Sequence, residues 1–321
     1  MKILLLHHPY VTARFEQDLL GRVAERPEFT VTPADPVLLA EGRLPVALSG
    51  YDAVVVFVAF NALRRAPPLD WQGFEGLRLL FDHDVIQNYS DIFDPGLKGL
   101  WTAEFARHRF DALITSGDAV RRRLEEDGVP ADWLPKAFDP SRFTDRAGAR
   151  AGIVTYGSKY HCRQIAERAL REAGVALVRL DTTPYPALAA ELSPFLAGMA
   201  VSSDLPTPAA ARAALASVPA RDVAMRPGLE PMAKLFELAG SGCCPMADAM
   251  EDLALLGFVD GVNAVTFTSH AELVEKARHW LARPDELRAL GSAAARLAHE
   301  RHSWADRAET LSALIARRLQ A

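Results

Sequence analysis

The chain has 321 residues, 50% of them hydrophobic and 24% charged, with a formal net charge of -5. At roughly 150 residues per domain this length predicts two domains, each with material for its own core. The negative balance excludes a general electrostatic attraction to nucleic acid or anionic lipid. The local basic run Arg121-Arg122-Arg123 is followed at once by Glu125, Glu126 and Asp127, the composition of a solvated helix face. The three cysteines, Cys162, Cys243 and Cys244, show neither a CxxC pair nor a Cys/His spacing suited to zinc, so a reducing, cytoplasmic setting is expected. No apolar run approaches the roughly 18 residues of a membrane span, and the opening MKILLLHHPY is too short-cored for a signal peptide.

In chain order, Lys2–His7 is an apolar run ending in a polar turn, as a buried parallel strand requires. Helical patterning follows over about Ala13–Glu25, then strand-like FTVTP, the β-branched YDAVVVFVAF and LRLLFDHD. Helical material near Leu97–Arg107 leads to FDALITS, a strand, and to DAVRRRLEEDG, a helix closed by Gly128. The polar stretch AFDPSRFTDRAGARAG reads as the boundary between domains 1–148 and 149–321. Beyond it the rhythm restarts with GIVTYGS, a strand and turn, the helix CRQIAERALREAG and the strand VALVRLD. DVAMRP and CCPMA are short strands bracketing the helix PMAKLFELAGSG, and the last fifty or so residues are helical. Strand–helix alternation in both halves predicts an α/β protein with two Rossmann-like doubly wound parallel sheets.

The segment RPGLEPMAKLFELAGSGCCPMAD carries the densest chemistry. A strand at Asp222–Met225 delivers a Pro/Gly loop and then a helix from about Pro231 to Ala239. Ligands of open α/β sheets bind at such carboxyl strand ends, where exposed N–H groups at a helix start favour phosphate. Lys234 could neutralise a diphosphate, Glu237 could accept two hydrogen bonds from a ribose diol, and Gly240 and Gly242 would let the backbone turn closely. The same Lys-x-x-Glu spacing also describes an ordinary surface pair. In GSKYHCRQ, the turn Gly157-Ser158 precedes Lys159 and Arg163 at a helix start, cations placed for a diphosphate or simply solvated.

In the first half, Asp82-His83-Asp84 ends a strand. It could hydrogen-bond a ligand or move protons through His83, cap the strand end, or act as an Asp-x-Asp metal motif. His7 and His8 follow the first strand, and Ser116 and Lys136 stand near the expected cleft or hinge. Cys243 and Cys244 read as buried strand residues, and Trp280 and Trp304 as helix-packing anchors.

The order DVAMRPGLEP, KLFELAGSG, CCPM, FVDGVNAVTF and HSWADRAETL resembles the group 1 glycosyltransferases. These are retaining enzymes of GT-B architecture, and the likeness is to their compact spore-maturation-protein-like (CgeB-like) branch. It is strong over about 152–315 and loose over the first 150 residues. The resemblance implies two Rossmann-like domains facing across a cleft, an acceptor-side domain first and a donor domain second, and it allows the last helix to cross back onto the first. It implies transfer of a sugar from a nucleoside-diphosphate sugar, uridine being the commonest base, to an acceptor hydroxyl of unknown identity. Retention of configuration, no metal and no cofactor beyond the donor itself are implied too. Carried over, Glu237 would hold the ribose, Lys234 would face the diphosphate, Glu230 would lie near the donor sugar, and His83-Asp84 resembles a cleft-facing His-Asp. One departure stands out: six residues separate Glu230 from Glu237 where the family has seven. Two other readings stay open: a non-catalytic sugar-nucleotide sensor or assembly partner, supported by that shortened spacing, and a metal-dependent GT-A-type transferase using Asp82 and Asp84.

Overall fold

The first apolar runs form the centre of a parallel sheet because they are apolar on both faces. β1 (Ile3–His7) and β3 (Ala53–Phe57) lie side by side, with Ile3 opposite Ala53, and nearly every side chain in them is buried. The computed structural model describes residues 1–8, 14–58, 63–64, 66–90, 95–181, 183–205, 219, 223 and 225–321. β2 (Phe29–Pro33), β4 (Leu77–Phe81), β5 (Ala112–Thr115) and β6 (Ala131–Trp133) complete a six-stranded sheet of order β2-β1-β3-β4-β5-β6. Every pairing in it is parallel. Its helices are α1 (Arg14–Ala24), α2 (Pro36–Ala40), α3 (Leu100–Phe105) and α4 (Asp118–Glu126). In α4 the basic run is paired within its own helix: Arg121 reaches Asp118 at 2.7 Å and Glu125 at 2.6 Å.

The second sheet has five strands: β7 (Ile153–Tyr156), β8 (Leu177–Leu180), β9 (Ala197–Ala200), β10 (Cys244–Asp248) and β11 (Val265–Phe267). Their order is β11-β10-β9-β7-β8, again all parallel. Around it stand α5 (His161–Glu172), α6 (Tyr185–Leu192), α7 (Ala233–Gly240), α8 (Glu251–Leu255), α9 (His270–Leu281) and α10 (Pro284–Arg301). The core under α5 and α9 is built from Ile153, Ile165, Leu170, Met199, Met246, Phe267 and Leu273. The final helix is α11 (Trp304–Gln320). No helix of the described residues is long and apolar enough to cross a membrane.

The chain divides into two compact units, one of Met1–Tyr89, Gly96–Pro135 and Trp304–Ala321, the other of Ser90–Pro95 and Lys136–Ser303. The sequence-based boundary at 148/149 thus differs from this division over 90–95, 304–321 and 136–148, the last a stretch whose side chains hold the second sheet's elements. Lys136 pairs with Glu230 at 2.6 Å, and Arg150, just beyond, donates to the Ser241 carbonyl at 2.9 Å. In the first unit α11 is tied to strand ends: Arg307 donates to the Pro135 carbonyl at 2.9 Å, and Arg318 meets Asp132 at 2.7 Å.

Gly240, the last residue of α7, lies under the Phe138 ring. A Cβ there would fall 2.2 Å from Cε2 and 2.6 Å from Cδ2 of that fully buried side chain. Its place is therefore one of close packing at the far end of the helix from Lys234. Gly240→Ala is expected to cost about 1–3 kcal/mol of overpacking, more than the helix-propensity gain of about 1 kcal/mol. Chemical denaturation should show a lower midpoint with an unchanged slope.

Candidate functional site

β7 ends at Tyr156, and the chain turns at Gly157 with φ +76, a left-handed conformation that favours glycine. A Cβ on Gly157 would stand 3.9 Å from both the Arg163 Nη1 and the Lys234 Nζ, so two cations from different helices converge on this turn. Gly157, Ser158 and Lys159 are exposed, whereas Arg163 and Lys234 are only 6% exposed beneath them. Arg163, in the first turn of α5, donates to the carbonyls of Val201 at 3.0 Å and Ser158 at 3.1 Å. Arg179, at the end of β8, donates to the Gly157 carbonyl at 2.6 Å and is braced by Glu167, so the turn is held from below. Lys159 is turned outward to Asp181 at 3.1 Å.

α7 begins at Ala233, two residues later than its sequence pattern implies, because Met232 is extended (φ -81, ψ 158). Lys234 therefore stands in the first turn. Its ammonium donates to the Tyr156 carbonyl and lies 4.6 Å from the centre of the Tyr156 ring. Burial, reinforced by the nearby Arg163 charge, holds the Lys234 pKa well below the ordinary lysine value. Glu237, one turn on, accepts from the Tyr156 hydroxyl at 2.7 Å. Lys234 and Arg163 thus have carbonyl and ring partners, and neither forms a salt bridge among the described residues. Two buried cations beneath an exposed glycine turn are suited to an anion.

Glu230 is fully buried and pairs with Lys136 at 2.6 Å. The loop that carries it is anchored by Asp248 at the end of β10, which accepts from the Ser202 N–H at 2.6 Å and the Gly228 N–H at 3.1 Å. Burial raises the Asp248 pKa. Of the strand expected at Asp222–Met225, Asp222 and Ala224 lie outside the described residues, and Val223 and Met225 are not in a strand; beside them, Arg226 bridges Asp204.

The structure thus brings Gly157, Arg163, Lys234 and Glu237 together, with Ser158 in the same turn. Lys159, Glu230 and Gly240 have separate engagements. His83 and Asp84 belong to the first unit. His83 is buried at 2% exposure, edge-on to the Phe57 and Phe81 rings at 5.3 and 4.7 Å, with Nδ1 3.5 Å from the Glu16 carboxylate. Asp84 is exposed. Asp82 accepts from the Asp84 N–H at 2.8 Å and from the Trp101 indole at 2.9 Å, the duty of a strand-end cap. Ser116 donates to the His83 carbonyl at 3.1 Å, and the His7 ring stands 3.1 Å from the His8 carbonyl. Cys243 and Cys244 are fully buried, and burial pushes the Cys243 thiol up to about 12. Asn263 and His302, from the two late segments, brace loops: Asn263 accepts from Val259 at 2.7 Å, and the His302 ring meets the Leu256 carbonyl at 2.9 Å.

Sequence reasoning missed three contributors. Tyr156 has no motif; its only local signal is an aromatic hydroxyl at the strand end before the glycine. Asp248 and Arg179 likewise end strands, where polar residues are common. Lys136 was singled out for its position, and its partner was not foreseen.

Residues 206–313 match the model of a family described as glycosyl transferase-like. No curated protein sequence matches significantly. Among solved structures the chain is similar to the sucrose-phosphate synthase of Thermosynechococcus elongatus, with a TM-score of 0.68, 12% identity and 99% of each chain covered. It is also similar to Anabaena HepE in complex with UDP and glucose, with a TM-score of 0.61, 12% identity and coverage of 99% of this chain and 100% of that one. A glycosyltransferase from Rickettsia africae aligns at a TM-score of 0.58, 8% identity and 98% of each chain. Fold and family match point one way: residues 206–313 carry the glycosyl transferase-like match, and the two parallel sheets have the GT-B architecture of these solved structures. The GT-A alternative is thereby corrected, since it required a single nucleotide domain at the N-terminus and the chain folds as two all-parallel sheets.

Proposed function

We propose that the second unit binds a nucleoside-diphosphate sugar and that the enzyme moves its sugar to an acceptor hydroxyl, with retention of configuration and without a metal ion. The observation that carries this reading is the pair of buried cations, Lys234 and Arg163, converging on the exposed turn at Gly157. A departing diphosphate develops negative charge, and fixed donors in a partly dehydrated site stabilise it without reorganising. Glu237 is placed one helical turn from Lys234, the separation from phosphate to ribose along a nucleotide, and would accept from the ribose diol. Glu230, held by Lys136, would meet the donor sugar. A uridine donor is favoured because the similar HepE structures are complexes with UDP and with UDP-glucose. The compact, CgeB-like branch is the subgroup we favour from the ordered sequence segments.

A thermal-shift panel of UDP, GDP, ADP and their glucose conjugates tests the reading. Ligand at about 100 times its Kd adds about 2.7 kcal/mol, a shift of several degrees for a chain of this size. Donor hydrolysis or transfer should accompany binding, and excess EDTA should leave the rate within about twofold, since the charge is supplied by side chains. Binding with no turnover would identify a sensor instead, and absence of any nucleotide shift would overturn the reading.

A further inference from the structure

Lys234 and Glu237 are oppositely charged and three residues apart on one helix, the spacing at which such side chains ordinarily meet. They do not pair. The Lys234 ammonium goes to the Tyr156 carbonyl and over its ring, and the Glu237 carboxylate goes to the Tyr156 hydroxyl at 2.7 Å. One residue at the end of β7 thus holds both charges, and it holds them at opposite ends of itself. Tyr156 is 8% exposed, and burial together with the Glu237 charge keeps its phenol proton on, so the hydroxyl remains a donor.

We propose that Tyr156 is a positioning residue that keeps Lys234 and Glu237 apart, so that each charge serves a different part of a ribonucleoside diphosphate: Lys234 the diphosphate and Glu237 the ribose diol. The inference rests on the donor-site reading above and deepens it. An ionised carboxylate offers about four acceptor positions. The phenol takes one of them and orients the group, so rotamer freedom of the glutamate is lost on folding rather than on binding. Without the hydroxyl, the carboxylate loses the contact that directs it to the tyrosine, and the ammonium three residues away competes with a ligand for it.

The variant Tyr156→Phe keeps the ring, the backbone carbonyl and the packing, and removes only the hydroxyl. The probes are whichever of UDP, GDP and ADP binds the parent most tightly and its 2′,3′-dideoxy counterpart, with affinities measured by calorimetry. Hydrogen bonds to a charged group predict that the parent prefers the ribonucleotide about tenfold or more. In Y156F that ratio should fall to about one, chiefly through weaker ribonucleotide binding. Glu237→Gln should lower the ratio to the same level, and Y156F with E237Q should lower it no further, since the two act through one contact. A merely structural role would weaken both probes by one factor and preserve the ratio; that result, an unchanged Y156F, or a parent indifferent to the diol overturns the inference. If none of the three nucleotides binds the parent, it is the donor-site reading that fails.

Discussion

Lys234→Met should abolish measurable nucleoside-diphosphate binding and lower the transfer rate by about a hundred- to a thousandfold, the loss seen when one fixed stabilising donor is removed. The ligand-free fold should be at least as stable as before. An ammonium this deeply buried is disfavoured by desolvation, and an unbranched apolar side chain of similar length fits the same volume. The pH dependence gives an independent check. Lys234 titrates below the ordinary value of 10.5 in the folded chain. Between the folded and unfolded values the unfolded chain binds more protons, so the parent gains stability as pH rises through that window. Denaturation midpoints across that range should show the rise in the parent and its loss in the methionine variant. A variant that binds nucleotide as well as the parent would remove Lys234 from the site.

The second large effect is expected at Lys136. Its ammonium, 3% exposed, meets the fully buried Glu230 carboxylate at 2.6 Å. Lys136→Met removes this ammonium from the buried carboxylate, and breaking a buried pair from one side costs about 3–5 kcal/mol. Neutralising the other side as well should restore most of the loss: the double variant Lys136→Met with Glu230→Gln is expected to unfold close to the parent midpoint. It should nevertheless fail in transfer, because the donor-sugar contact proposed for Glu230 is gone. Urea denaturation read beside a transfer assay separates the two effects. A single variant as stable as the parent would mean that the pair is dispensable to the fold.

Much of the architecture was legible in the sequence because its signals are local. Runs such as AVVVF are apolar at every position, as a strand covered on both faces requires, and β3 is such a run, whereas β2 and β8 carry polar residues and are only partly buried. The turn Gly157 and the first-turn residues Arg163 and Lys234 were legible for the same reason: their roles follow from standing at a strand end or a helix start. The sequence offers Gly240 as a residue that lets the backbone turn closely, as a glycine at a helix end allows; the Phe138 ring above it comes from about a hundred residues earlier, and no spacing rule connects them.

The sequence by itself determined which stretches are buried strands, where the chain turns, and which charges lie near those turns, since periodicity and turn chemistry depend on neighbours a few residues away. Only the tertiary structure decided the partners. Lys136 and Glu230 are 94 positions apart, and Tyr156 and Glu237 are 81 apart. Bonds of that span record how one loop meets another and how a strand end packs on a helix, and packing depends on the shape of the whole core rather than on any local pattern.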